Sequence, residues 1–282
     1  MAEQTNIQKP AAPAPKKENK GVSSNVGGVK NASIVILICF VVAVCFFIFV
    51  LGNGSNFKDG SNANAPLNLA GTIYKGGFIV PILQTLFLTV IVLSVERWIA
   101  LSKASGSGSI AKFVANVKKE LAAKNIDGAE ELCKKQKGTV GAVVYSTIQK
   151  YKEMDKNELL PKEQKLSLIQ GQLEEATSLE MPALQQNLPI VATLTTLGTL
   201  IGLLGTVIGM IKSFQALSAS GAPDSTELST GISEALINTA FGIATAAFAL
   251  IAYNFYTNKI DNRAYAIDEL GFAIVNTFSQ TH

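Results

Sequence analysis

The sequence has a single histidine, the terminal His282, only three cysteines, and few charged residues. Catalysis by a Ser-His-Asp or Cys-His arrangement is therefore almost excluded. Cys39 and Cys45 lie in an apolar block and Cys133 in a Lys/Glu-rich stretch, so neither a disulfide framework nor a CxxC metal site is indicated. No GxxxxGK[ST] phosphate loop occurs. We expect a protein that is not an enzyme, with no catalytic residues, no cofactor and no metal.

The charge balance gives no indication of nucleic-acid binding. The formal net charge is only +3, and acidic residues are interspersed among the basic ones. Apolar residues make up 48% of the chain and charged residues 16%. The apolar residues are gathered into long blocks, which is typical of membrane spans and not of a soluble core.

Four such blocks predict an all-α integral membrane protein with four transmembrane helices. The second block ends at Glu96-Arg97-Trp98, where an aromatic ring beside charged groups is typical of a membrane interface. The predicted transmembrane helices are residues 32–51, 76–98, 188–217 and 228–257.

The segments between the blocks are polar and of different kinds. Residues 1–31 carry the run AAPAPKKENK and predict a disordered basic tail. Residues 99–187 are lysine-rich, show apolar residues at helical spacing, and contain a break near Asn125-Ile126-Asp127-Gly128. The remaining polar segments are a connector at 52–75, a loop at 218–227 and a partly helical tail at 258–282.

The distribution of lysines predicts the orientation in the membrane. The N-terminal tail has an excess of lysine, whereas the 218–227 loop has no Lys or Arg. By the positive-inside tendency, both termini and residues 99–187 are expected in the cytoplasm, with 52–75 and 218–227 in the periplasm. The cell inner membrane, spanned several times, is the expected location.

Small residues recur at four-residue intervals in the third block. Gly198, Gly202 and Thr206 form one row, and Gly205 and Gly209 form another. Such rows let helix backbones approach closely inside a membrane. We therefore interpret Gly198, Gly202, Gly205 and Gly209 as a helix-packing surface, and packing alone would account for them.

The fourth block contains one acidic residue in its apolar part, Glu234. A carboxylate in hydrocarbon is unfavourable by several kcal/mol unless it is protonated, paired or hydrated. One interpretation is a functional acid, and the alternative is an interfacial residue that extends toward the loop. Asn238 follows one turn later, and Thr245 lies near the same face, which indicates a face that does not contact lipid.

The short loop makes the last two helices an antiparallel hairpin centred near residue 222. Thr206 lies about as far before that centre as Thr239 lies after it, so the two residues are expected at the same depth. Glu234 is slightly more than one turn closer to the loop. Two hydroxyls at one level beside a carboxylate suit an ion-lined constriction, although membrane threonines more often bond to their own helix.

Two strings in this hairpin resemble the ExbB/TolQ/MotA family of proton-channel motor proteins. Residues 202–210, GLLGTVIGM, are similar to its GL(L/F)GTVxG(I/M) signature. Residues 231–240, GISEALINTA, with Gly242, resemble its GI(A/S)EALxxTAxG segment. The resemblance covers residue 75 to the end. Gly198-Thr199 replace the Ala-Pro common before the first motif, and the span at 32–51 is additional to the shortest members.

The resemblance implies a homo-oligomeric ring, a pentamer in the better-understood members. The ring would surround a single-span partner resembling ExbD or TolR, whose membrane aspartate binds the transported proton. It implies that Thr206, Glu234 and Thr239 line the ion pathway. The implied function is a proton channel or stator subunit that converts the proton motive force into work, with lipid as its surroundings and no nucleic acid.

The extended N-terminus favours an ExbB-like protein, which would energise TonB-dependent outer-membrane transport with a TonB-like protein. The alternatives are a TolQ-like or MotA-like motor subunit with another output, or a non-conducting membrane scaffold. A small-solute transporter is disfavoured because inverted repeats and broken helices are not evident. Threonine oxygens suit H⁺ and Na⁺ equally, so the sequence leaves the ion open.

Overall fold

The computed structural model describes residues 28–29, 31–62, 64–219 and 225–281. Within these residues the chain is helical and contains no β-strand, as predicted. Most of the predicted N-terminal tail and the centre of the predicted 218–227 loop lie outside the described residues. The helices are α1 (Ala32–Phe46, continued by a π-helical turn to Leu51), α2 (Leu69–Tyr74), α3 (Ile79–Ala104), α4 (Ile110–Ala122), α5 (Ile126–Gln136), α6 (Gly138–Asp155), α7 (Lys162–Gln185), α8 (Leu188–Ala219) and α9 (Ser225–Thr281).

Four helical stretches of the described residues are long and apolar enough to cross a membrane. Each overlaps one of the four predicted spans, although the second begins three residues after the predicted start at 76 and the third takes in α7 and ends at Gln215. A positive φ of 64° at Asn187 separates α7 from α8, which begins at Leu188. The four stretches are Ala32–Leu51, Ile79–Ala104, Lys162–Gln215 and Leu228–Thr281.

The glycine-rich face of α8 packs directly on α9. A Cβ atom built on Gly202 would lie 2.9 Å from the Cα of Gly242. One built on Gly209 would lie 2.9 Å from the backbone nitrogen of Ala235. Both distances are shorter than Cβ contacts in proteins, so only glycine permits this separation of the two backbones.

Helices α4 to α7 form a hydrophobic core together with the C-terminal half of α9. Val117 of α4, Ile148 of α6 and Ile169 of α7 are fully buried there. From α9 the same core includes Ile267, Leu270, Ile274 and Phe278. The sequence predicts a partly helical tail at 258–282, whereas α9 continues to Thr281. The reason is that these apolar residues are covered by the other helices, which stabilises the helical conformation.

The break predicted near residue 125 is a tight turn between α4 and α5. Lys124 takes a left-handed conformation with φ 57°. The side-chain oxygen of Asn125 accepts a hydrogen bond of 3.0 Å from the backbone nitrogen of Gly128 and caps α5. Polar turn residues that can satisfy a helix start explain why the chain reverses here.

Arg97 joins α3 to the end of α7. Its side chain is fully buried and pairs with Glu96 at 2.5 Å. It also donates to the carbonyl oxygens of Ala183 and Leu184 at 3.3 and 3.4 Å. The neighbouring Trp98 is exposed, as expected for a ring at a membrane interface. These contacts hold the Arg97 region of α3 against the end of α7, directly before α8.

Candidate functional site

Thr206 of α8 and Thr239 of α9 lie opposite each other, and their hydroxyl groups share a hydrogen bond. Thr206 also bonds to the Gly202 carbonyl oxygen at 3.2 Å, and Thr239 to the Ala235 carbonyl oxygen at 3.2 Å. Both side chains are half-buried in the isolated chain. The structure thus brings the two threonines to one depth, and each hydroxyl bonds both to its own helix and to the other residue.

Glu234 is buried within the chain, with 5% of its surface exposed. Its Oε1 atom lies 2.7 Å from the Nζ atom of Lys212 on α8. Sequence reasoning treated Glu234 as an isolated acid and did not consider Lys212. The signal was present, since Lys212 is the only basic residue of the third block and lies nearly as far from residue 222 as Glu234 does.

The turn before α3 closes the other side of the Glu234 carboxylate. Gly77 has a φ of +76°, and a Cβ atom built on it would lie 2.5 Å from Oε1 of Glu234 and 3.4 Å from Nζ of Lys212. A side chain at Gly77 would therefore be strained and would also displace the carboxylate. Helices α3, α8 and α9 consequently meet at this ion pair.

Asn238 and Thr245 lie on the same inward face of α9 as Glu234, and both are fully buried. The amide nitrogen of Asn238 donates to the Gly76 carbonyl oxygen at 3.1 Å. Thr245 bonds to the carbonyl oxygen of Phe241 in its own helix at 2.8 Å. The face carrying these three polar side chains is covered by protein, which agrees with the expectation that it does not contact lipid.

Among the described residues, no three His, Cys, Asp or Glu side chains come together as metal ligands would. The chemistry of this region is therefore that of one ion pair, one hydroxyl pair and backbone carbonyls. Such groups can form hydrogen bonds to water and pass protons along them, which is the property that a polar membrane pathway requires.

Residues 137–269 match the family model of the MotA/TolQ/ExbB proton channel family. The match includes Thr206, Lys212, Glu234 and Thr239. Over these residues the chain is similar to that family. The resemblance carried by the two sequence motifs is thereby confirmed, and the family is one of proton channels, not of enzymes.

The individual relatives carry two of the three names of the family, TolQ and ExbB. The chain is 36% identical over 94 residues to the Tol-Pal system protein TolQ of Haemophilus influenzae, which covers 33% of this chain and 40% of the relative. It is 38% identical over 84 residues to TolQ of Pseudomonas aeruginosa, 30% of this chain and 36% of the relative. It is 40% identical over 78 residues to the biopolymer transport protein ExbB of Helicobacter pylori, 28% of this chain and 54% of the relative.

These matches span roughly one third to one half of each relative's length. They include both TolQ and ExbB proteins at similar identity, so they do not separate an ExbB-like output from a TolQ-like one. Helices α1 and α3 lie outside the segment that the family model matches.

Proposed function

We propose that this chain is the ion-conducting subunit of a proton-driven motor in the bacterial inner membrane. The observation that carries the proposal is the arrangement of Thr206, Thr239 and Glu234 at the contact between α8 and α9. Three polar groups within about a turn of one another, on otherwise apolar helices, are unfavourable in lipid and useful in an ion pathway.

The threonine pair can serve as one step of the pathway. Each hydroxyl can donate one hydrogen bond and accept others, so a pair of them can bind water on the side that is not covered by protein. Both residues are half-buried in the isolated chain, which leaves part of each accessible. In an assembled ring, this accessible part would face the central pore.

A second protein is needed to complete the path. Glu234 lies toward one end of the membrane, and one acid there cannot carry a proton across the full thickness. A single-span partner of the ExbD or TolR type, with an aspartate in its membrane helix, would supply an exchangeable carboxylate deeper in the membrane. Each proton that crosses would release about 2.3 kcal/mol per 100 mV of membrane potential.

Assembly into a ring is supported by apolar residues on α9 beyond the membrane. Tyr265 and Phe272 are 71% and 75% exposed, and they lie on the face of the C-terminal half of α9 that helices α4 to α7 leave uncovered. We infer that these two exposed rings contact another protein. A neighbouring copy of the chain is the occupant that we propose, with five copies expected from the family resemblance.

The proposed topology places both termini and α4 to α7 in the cytoplasm, and residues 52–75 and 218–227 in the periplasm. The proposed output is ExbB-like, the energising of TonB-dependent outer-membrane transport through a TonB-like protein. A TolQ-like or MotA-like output is the alternative among motors.

The second candidate function is a non-conducting scaffold. It is favoured by one observation, that Glu234 pairs with Lys212 within the chain at 2.7 Å. An ion pair of this kind can join two helices without conducting anything. The scaffold hypothesis predicts that the complex is proton-tight under all conditions.

A proton-flux experiment distinguishes the motor from the non-conducting scaffold. The full chain is produced with the single-span partner that copurifies with it, and the complex is reconstituted into vesicles containing a pH-sensitive dye. A potassium diffusion potential, negative inside, then drives proton entry. The motor proposal predicts proton uptake that requires both proteins, whereas uptake no faster than in protein-free vesicles would support the scaffold.

A further inference from the structure

Lys212 lies on the exposed side of the buried Glu234 carboxylate. The Lys212 side chain is 47% exposed, whereas the Glu234 side chain is 6% exposed, and the two meet at 2.7 Å. The backbone at Gly77 occupies the other side of the carboxylate. An ion that approaches Glu234 from the open side therefore meets the Lys212 ammonium first.

We propose that Lys212 is a positioning and selectivity residue, which holds the Glu234 side chain in place and excludes metal cations such as Na⁺ from its carboxylate. This inference rests on the proposed function, since it concerns the ion that the pathway admits. It assigns to Lys212 a role that the two family-like motifs do not include.

A sodium ion and a proton differ in the ligands that they need from the protein. A sodium ion requires several oxygen ligands around it, and the Glu234 carboxylate is the kind of hard oxygen ligand that it binds. The Lys212 ammonium already takes one carboxylate oxygen and would repel a second positive charge in a site of low dielectric constant. A proton needs no coordination shell and can move along hydrogen bonds, so the ion pair hinders it far less.

The chain offers matched variants for a test. Lys212→Gln removes the charge and keeps a hydrogen-bonding group of moderate length, whereas Lys212→Arg keeps the charge. Lys212→Gln with Glu234→Gln removes both charges and leaves no anionic site for Na⁺. The full chain with its copurifying partner is used in every case, in NaCl or KCl at equal ionic strength.

The first measurement is the thermal midpoint of the purified complex, which requires no ion flux. We expect Na⁺ to raise the midpoint of Lys212→Gln relative to K⁺, because an ion that binds only the folded protein stabilises it. The wild type, Lys212→Arg and the double variant should show no difference between the salts. A midpoint of Lys212→Gln that is equal in both salts would overturn the proposal.

The second measurement is proton uptake by reconstituted vesicles. Exchange of K⁺ for Na⁺ should leave uptake by the wild type unchanged and slow uptake by Lys212→Gln by about 10-fold, since one bound cation would occupy the carboxylate. Equal sodium sensitivity of the two proteins would contradict the inference. No uptake by the wild type would contradict the proposed function, and the thermal measurement would still decide the role of Lys212.

Lys212→Gln could also fail to assemble, because it leaves a buried carboxylate without its counter-charge. In that case the added Glu234→Gln change should restore the amount of complex. Restoration would support Lys212 as the counter-charge of Glu234, and continued failure of the double variant would overturn it.

Discussion

The hydroxyl groups of Thr206 and Thr239 are hydrogen-bonded to each other across the antiparallel helices α8 and α9. Their meeting follows from the hairpin, because each residue lies about the same number of residues from its centre. This hydrogen bond connects the two family-like motifs, one of which lies on α8 and the other on α9.

Thr206→Val should reduce proton uptake by about 10-fold or more, because it keeps the shape of the side chain and removes a hydrogen bond worth about 1 kcal/mol or more. The amount of intact complex should stay within about twofold of the wild type. Thr193→Val is the matched control, since Thr193 is exposed on α8 and bonds to its own helix at Pro189. Equal loss of proton uptake in both variants would contradict a specific role of Thr206 in the ion pathway.

Gly202→Leu should disrupt the packing of α8 on α9 and the assembly that depends on it. A Cβ atom at Gly202 already comes within 3.0 Å of the Asn238 carbonyl oxygen and 2.9 Å of the Gly242 Cα atom. Overpacking of this kind destabilises a protein by about 1–3 kcal/mol or more. The measurement is the oligomer size and thermal midpoint of the complex in detergent.

The control is Gly171→Ala on α7, where an added Cβ atom meets nothing within 4 Å. Replacing a helical glycine in open space by alanine should raise the free energy of unfolding by about 0.5–1 kcal/mol. If Gly202→Leu gave a complex of wild-type size and stability, the packing role of the glycines would be wrong.

Glu130 should stabilise the packing of α5 on α6 at neutral pH and lose this effect in acid. Its bonds to Lys134 and Lys152 hold the pKa of the carboxyl at about 2, below its ordinary value of 4.5. A lowered pKa contributes stability above the unfolded value, and that stability is lost as the pH falls from 4.5 toward 2. Helix α5, which carries Glu130, is tied to α6 through Lys152.

The difference in thermal unfolding midpoint between the wild type and Glu130→Gln should therefore be large at pH 7 and shrink below pH 4.5. Glu131→Gln serves as the control, because Glu131 is exposed and its pair with Lys135 is 3.6 Å long. A difference for Glu130→Gln that is independent of pH would show that its ion pairs do not stabilise the fold.

The proposed topology predicts labelling from opposite sides of the membrane. Ser61 precedes α2 in the 52–75 connector and Ser107 lies between α3 and α4, and both are exposed. Ser61→Cys should react with a membrane-impermeant maleimide added to spheroplasts, whereas Ser107→Cys should react only after the cells are opened. Reaction of both cysteines in intact spheroplasts would contradict the topology.

The sequence predicted the hairpin well because its evidence is local. Unbroken apolar blocks mark the spans, and counting from the loop brings Thr206 opposite Thr239. The ion pair of Glu234 was missed because the sequence analysis did not consider Lys212 as its partner. The backbone at Gly77 also encloses the Glu234 carboxylate, and Gly77 lies just before α3, far from Glu234 in the sequence.

The C-terminal half of α9 was predicted incompletely for a related reason. Its apolar residues are spaced among charged ones and look like those of a solvated tail. Ile267, Ile274 and Phe278 are fully buried only because α4 to α7 fold around them. Contacts between segments so distant in the chain are not visible in the local composition.

The most direct test of the account is proton uptake by the reconstituted complex carrying Glu234→Gln, measured together with the amount of complex recovered from membranes. The glutamine keeps the size of the side chain and its hydrogen bond to Lys212, and it removes the charge. The account predicts uptake close to that of protein-free vesicles at wild-type levels of complex. Uptake equal to that of the wild type at the same level of complex would contradict it.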